Sequence, residues 1–136
     1  MSKDAEGNRI DTFLAAKSFA VVGASNNPMK YGNKVLRTYL AHNRKAFPVN
    51  PKEPEVLGLT SYKSLSELPE QVDSISIITP PAVTEQVVED AIAAGAKHIW
   101  MQPGAESFKA IERAKEAGLT VISGGPCLMV VMGYHE

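Results

Sequence analysis

A short apolar run, Phe19 to Val22, stops at Gly23, crosses small and turn-forming residues, and gives way near Tyr31 to helical spacing. This segment, Ser18 to Gly32, constrains the fold more than any other part of the chain. A strand that opens onto a helix through such a loop directs backbone N–H groups and the positive end of a helix dipole at one spot. Phosphate groups suit that spot, so the loop reads as a phosphate or nucleotide cradle.

The pattern repeats downstream. Val35, Leu36, Tyr39 and Leu40 predict a helix from about Tyr31 to Asn43, after a helical lead-in around Asp11 to Lys17. Ala46 to Val49 is a second strand, closed by Asn50 and Pro51. Residues 52–59 read as loop, Leu59 to Tyr62 as a short edge strand, and Ser66 to Gln71 as one helical turn. Ser74 to Thr79 is a strand ended by Pro80 and Pro81. The next helix carries Val83, Val87, Val88, Ala91 and Ile92 and stops at Gly95. His98 to Met101 is a strand, Phe108, Ile111 and Ala114 mark a helix that stops at Gly118, and Leu119 to Ile122 is the last strand.

Apolar strands alternating with helices predict an α/β fold whose parallel sheet is covered on both faces. Right-handed crossovers then lead to a Rossmann-like doubly wound sheet, with strand order 3-2-1-4-5-6 if the edge strand near Leu59 forms. At 136 residues the expectation is a single domain with its core over about 12–127. Net charge is −1 and no Lys/Arg run occurs, which argues against nucleic acid and against a membrane surface. No apolar stretch is long enough to span a bilayer, and the N-terminus carries no signal-peptide core, so a cytoplasmic location is expected. One cysteine, Cys127, excludes an intrachain disulfide and a CxxC zinc arrangement.

In such a sheet the ligand sits at the carboxyl ends of the strands, beside the point where strand order reverses. Those ends carry Gly23, Ala24 and Ser25; Asn50 and Pro51; Thr79, Pro80 and Pro81; Met101 and Gln102; and Ser123 to Gly125. They are small, kinked or hydrogen-bonding residues. No carboxylate pair, Ser/His/Asp set or metal cluster can be assembled from them, which points to holding a ligand rather than to catalysis. The loop lacks the second and third glycines of G-x-G-x-x-G, and Lys52 stands where a ribose-binding acid is expected. A cation there suits a phosphate near a ribose, as in coenzyme A or NADP, in preference to NAD.

The run Val21 to Pro28, then Pro48 to Pro51, Trp100 to Gly104, Ala117 to Val121 and the late Cys127 resemble the small stand-alone CoA-binding proteins. These are similar to the CoA-binding domain of the succinyl-CoA synthetase alpha subunit and of ADP-forming acyl-CoA synthetases. The resemblance covers about Thr12 to Cys127. It implies coenzyme A or an acyl-CoA as ligand, with Gly23, Ala24 and Ser25 around the diphosphate and Asn50, Pro51 and Lys52 near the ribose phosphate. Thr79, Pro80 and Pro81 would border the adenine or pantetheine path, with Met101 and Gln102 nearer the pantetheine arm. The strand end Ile78 to Pro80 and the tail Gly124 to Pro126 carry less positive charge than is common in that family.

Three functions follow as expectations. The first is a binding module without intrinsic catalysis, any ligase chemistry needing a partner subunit. The second is an NADP-dependent oxidoreductase or redox sensor using Tyr31 or Tyr62 as proton donor. The third is an interaction protein with no ligand. The apolar tail 128–132 would either pack in the core or pair two chains as a homodimer. Cys127 reads as a buried inert thiol, or as a partner for a mixed disulfide if the tail folds over the site. Lys52 reads as a phosphate ligand or as a solvated surface lysine beside Glu53. His42 reads as a helix cap, and His98, Trp100 and His135 carry no site role.

Overall fold

The computed structural model describes residues 5–125 and 127–132, with side chains from residue 7 onward; Pro126 and His135 lie outside the described residues. Chain order is α1 (Ala5–Leu14), β1 (Ser18–Val22), α2 (Tyr31–Ala41), β2 (Lys45–Val49), β3 (Glu55–Val56), β4 (Leu59–Thr60), a 3-10 turn (Leu65–Glu67) and β5 (Ser74–Ile77). There follow α3 (Pro81–Ala93), β6 (His98–Met101), α4 (Phe108–Glu116), β7 (Thr120–Ile122) and α5 (Leu128–Met132). β1, β2, β5, β6 and β7 form a parallel sheet in the order β2-β1-β5-β6-β7.

The doubly wound expectation holds, with one difference at the edge. The segment expected as a sixth parallel strand at Leu59 to Tyr62 instead turns back on itself. Leu57 and Gly58 take positive φ, and β3 pairs antiparallel with β4. Among the described residues of this segment Tyr62 alone forms a bridge to the sheet: its N–H donates to Pro48 O at 3.0 Å, and its carbonyl accepts from Asn50 N at 2.9 Å. Extending this ladder toward Thr60 would require an N–H from Pro48, which proline lacks. The pairing therefore stops at one bridge.

Period-two alternation along the strands sorts side chains to two faces. Ala20, Val22, Ile75, Ile77, Ile99, Met101 and Val121 pack with Val87, Val88 and Ala91 of α3 and with Ala110 and Ala114 of α4. Phe19, Val21, Trp100 and Ile122 point the other way, onto Phe13 of α1, Val35, Leu36 and Tyr39 of α2, and Leu128 of α5. An aromatic stack organises this second face. Phe13 meets Trp100 edge-on at 5.3 Å, and Phe19 stacks on Tyr39 at 4.6 Å. Ser76 lies on the same side, and its hydroxyl satisfies the buried Tyr39 hydroxyl at 2.6 Å. Trp100 thus packs in the core, as its mid-strand position suggests.

The tail packs, in part, as one of the two expectations has it. Leu128 is fully buried and its N–H donates to Gln102 Oε1 at 2.9 Å. Val130 and Val131 remain exposed. His42 closes α2, its Nδ1 lying 2.8 Å from Thr38 O.

Candidate functional site

β1 is the strand from which the chain departs in both directions, to β2 through α2 and later to β5 on the other side. The carboxyl edge at this reversal is where the sequence places the site. Gly23 turns the chain out of β1 with φ +98°, a conformation that favours glycine. A Cβ there would lie 2.8 Å from Ile78 O at the end of the neighbouring strand. Gly32, in the first turn of α2, is tighter still: a Cβ would stand 1.9 Å from Gly23 O. The helix N-terminus therefore sits directly on the loop, with its backbone amides close to the strand end.

The loop is tied by its own polar side chains. Ser25 Oγ accepts from Asn27 N at 3.0 Å, and Asn27 Oδ1 from Met29 N at 2.9 Å. Asn33 is buried and donates to Ser25 O at 2.9 Å, while Arg37 Nε donates to Asn33 Oδ1 at 2.7 Å. Asn26 reaches the β3–β4 hairpin, donating to Glu55 O at 2.7 Å and accepting from Leu57 N at 3.0 Å. Lys30, which precedes α2, supplies no side-chain cap to the helix. The Lys30 carbonyl instead accepts from Asn33 N and Lys34 N, both at 3.2 Å.

Beside this loop lies a cavity of about 320 Å³. Its inner wall is apolar: Val22, Val49, Leu65 and Val87. Gly23, Asn50, Pro51 and Thr79 line the strand-end side, and Lys52 and Lys63 add two cations. Helix α3 contributes Val83, Gln86, Val87 and Asp90, a stripe on one helical face. Asn50 joins the parts: its Nδ2 donates to Ala24 O at 2.8 Å, and its Oδ1 accepts from Lys52 N at 2.8 Å.

Five of the eleven residues singled out from sequence line this cavity: Gly23, Asn50, Pro51, Lys52 and Thr79. Ala24 is fully buried, and Ser25 holds the loop. Pro80 and Pro81 are exposed and start α3, outside the cavity lining. Met101 is core. Gln102 is fully buried and anchors α5, leaving its Nε2 without a hydrogen-bond partner among the described residues.

Sequence reading missed Lys63, Ser64, Leu65, Gln86, Asp90 and the packing role of Gly32. A glycine inside the first turn of a helix was the available signal for Gly32, because it destabilises a helix by about 1 kcal/mol relative to alanine. The others sit on segments whose position over the strand ends depends on tertiary packing.

Tyr31 Oη lies 2.5 Å from Cys127 Sγ, and burial, followed by this contact, raises the phenol pKa above its usual value. Cys127 is half-buried. Neither residue lines the cavity, nor does Tyr62, which meets Phe47 edge-on at 5.9 Å. The oxidoreductase reading, which needs Tyr31 or Tyr62 at the crevice, therefore gains no support. Among the described residues no cluster of His, Cys, Asp and Glu could hold a metal ion, and no helix is long and apolar enough to cross a membrane.

A doubly wound parallel sheet with a cavity at its switch point places the molecule in the Rossmann-like class. Within it, the chain belongs to the CoA binding domain family, whose model matches residues 17–133. It is 31% identical over 137 aligned positions to the alpha subunit of an ADP-forming acetate–CoA ligase from Pyrococcus furiosus, covering 93% of this chain and 30% of the relative. It thus spans under a third of that ligase subunit. Solved structures include chains of its own size. A hypothetical protein from Pyrococcus horikoshii superposes with TM-score 0.87 at 32% identity, over 96% of this chain and 95% of the other. A conserved hypothetical protein from Pyrococcus furiosus gives TM-score 0.80 at 43% identity, over 85% and 98%.

Proposed function

We propose that this protein binds coenzyme A, free or acylated, at the carboxyl edge beside Gly23, and that it acts as a binding module. The observation that carries the reading is the cavity itself: an apolar slot at the switch point with Lys52 and Lys63 on its wall. The slot suits the adenosine end, and the two lysines suit the ribose 3′-phosphate. The Gly23–Ser25 loop and the uncapped start of α2 offer amides to the diphosphate. Pantetheine then runs past Thr79, Pro80 and Pro81 toward the strand end at Met101 and Gln102.

The chain's own residues hold and orient the cofactor, and the cofactor supplies a thiol that carries acyl groups. Acyl activation then falls to a partner. The Pyrococcus ligase relative is a subunit, and a partner enzyme subunit or a second copy of this chain is the corresponding expectation here.

Thermal unfolding with coenzyme A, dephospho-CoA and NADP tests the reading. Ligand at about 100 times its Kd adds roughly 2.7 kcal/mol of stability, a readily measured shift. The expected result is a shift with coenzyme A that is smaller with dephospho-CoA. Lys52→Ala and Lys63→Ala should each reduce the coenzyme A shift toward the dephospho-CoA value. A shift with NADP alone, or with none of the three, overturns the proposal.

A further inference from the structure

The α3 wall of the cavity holds a feature that phosphate binding leaves unexplained. Asp90 lies in the last turn of α3, where the helix dipole disfavours an acid, and no basic residue shares that turn. Among the described residues no Lys or Arg pairs with it. Its neighbour on the cavity face is Gln86, whose Nε2 donates to Asp90 Oδ1 at 3.0 Å. This i,i+4 bond offsets part of the dipole cost and fixes the Asp90 carboxylate on the cavity face beside the Gln86 amide.

Position along the wall matters. Val83 and Asp90 are seven residues apart, about 10 Å along the helix axis. Val83 is near the start of α3, which follows the strand end at Thr79. Asp90 is therefore at the far end of the cavity from the strand-end loops. There Ser64, Leu65 and Asp90 line both this cavity and an adjoining one of about 520 Å³. A nucleoside whose phosphates lie at the strand-end loops would extend its base edge toward this acid.

The chemistry of the pair is directional. The Asp90 carboxylate only accepts hydrogen bonds, whereas the Gln86 amide keeps a second N–H to donate. Adenine presents a donor, its exocyclic amine, next to an acceptor, N1. A 6-oxopurine presents the reverse. We propose that Asp90, oriented by Gln86, reads the exocyclic amine of adenine and makes this site selective for adenine over 6-oxopurine nucleotides. This inference rests on the coenzyme A reading and assigns its base specificity.

The test compares coenzyme A with deamino-CoA, in which oxygen replaces the exocyclic amine, by calorimetric titration of the wild-type chain and Asp90→Asn. Wild type should bind coenzyme A at least about tenfold more tightly, because a site built to accept a hydrogen bond rejects an opposing carbonyl. An asparagine side chain can turn its amide to accept or donate, so the Asp90→Asn variant should bind the two within about threefold of each other. Titration of both ligands also reports that the variant is folded. Tight coenzyme A binding with equal affinity for deamino-CoA in wild type, or with selectivity retained in Asp90→Asn, overturns the inference and leaves coenzyme A binding standing. Binding of neither ligand overturns both.

Discussion

Gly32 lies so close to Gly23 that a single methyl group between them would come within 1.9 Å of the Gly23 carbonyl oxygen. The contact joins the first turn of α2 to the end of β1, and backbone atoms on both sides leave little room to give. Gly32→Ala should therefore destabilise the fold despite the better helix propensity of alanine. Overpacking of about 2 kcal/mol or more exceeds the roughly 1 kcal/mol gained by removing a helical glycine. Chemical denaturation would measure it. A neutral or stabilised variant would show that the helix does not need this approach.

Asn50 braces the loop from the opposite strand, donating to Ala24 O and accepting from Lys52 N. Asn50→Ala should lower stability by about 1 kcal/mol through loss of these bonds. Asn50→Asp should do no better, since it retains the acceptor for Lys52 N but turns a carboxylate toward the Ala24 carbonyl. An aspartate variant as stable as wild type would mean that the Ala24 bond contributes nothing. Denaturation midpoints of the three proteins decide the matter.

In the core, Tyr39 Oη and Ser76 Oγ form a buried pair at 2.6 Å, and burial keeps the phenol from ionising in the ordinary range. Tyr39→Phe leaves the serine hydroxyl without this partner and should cost about 1–2 kcal/mol. The double variant Tyr39→Phe with Ser76→Ala removes both polar groups and should recover part of that loss. Additive losses in the double-mutant cycle would contradict the pairing.

His98 provides a pH dependence. Burial, as the leading cause, lowers its pKa, with Asp73 acting in the opposite direction, and its Nδ1 is buried without a hydrogen-bond partner among the described residues. The unfolded chain therefore takes up a proton that the folded chain resists. Stability from this residue is present above the unfolded pKa of about 6.5 and declines as pH falls through that value toward the lower folded one. Urea midpoints for wild type should fall between about pH 7.5 and 5.5, in the window set by that unfolded pKa. Those of His98→Gln should fall less. Equal slopes in the two proteins would remove His98 as the cause.

The order of strands and helices could be read from residues alone. Apolar runs such as Phe19 to Val22, and stripes such as Val87, Val88 and Ala91, are local patterns whose periods fix element type wherever the element finally packs. Gly23 at the end of the first strand and Pro81 at the start of α3 are likewise local signals, and both stand where expected. The switch point follows from element order and crossover handedness, so the cavity edge with Gly23, Asn50, Pro51, Lys52 and Thr79 was within reach of the sequence.

What only the tertiary structure decided is how remote segments meet there. The edge segment at Leu59 does form a strand, but a parallel ladder on β2 needs an N–H that Pro48 lacks, so β4 pairs antiparallel with β3 in a hairpin and the residues after Tyr62 pass over the strand ends. That path brings Lys63, Ser64 and Leu65 opposite Gln86 and Asp90 of α3. It is set by a missing donor, a hairpin turn and the packing of α3 on the sheet, none of which leaves a periodic trace in the chain. Local spacing determined which elements form and where their ends converge; long-range packing determined which charges face one another across the cavity, because such contacts depend on distances between elements rather than on intervals along the sequence.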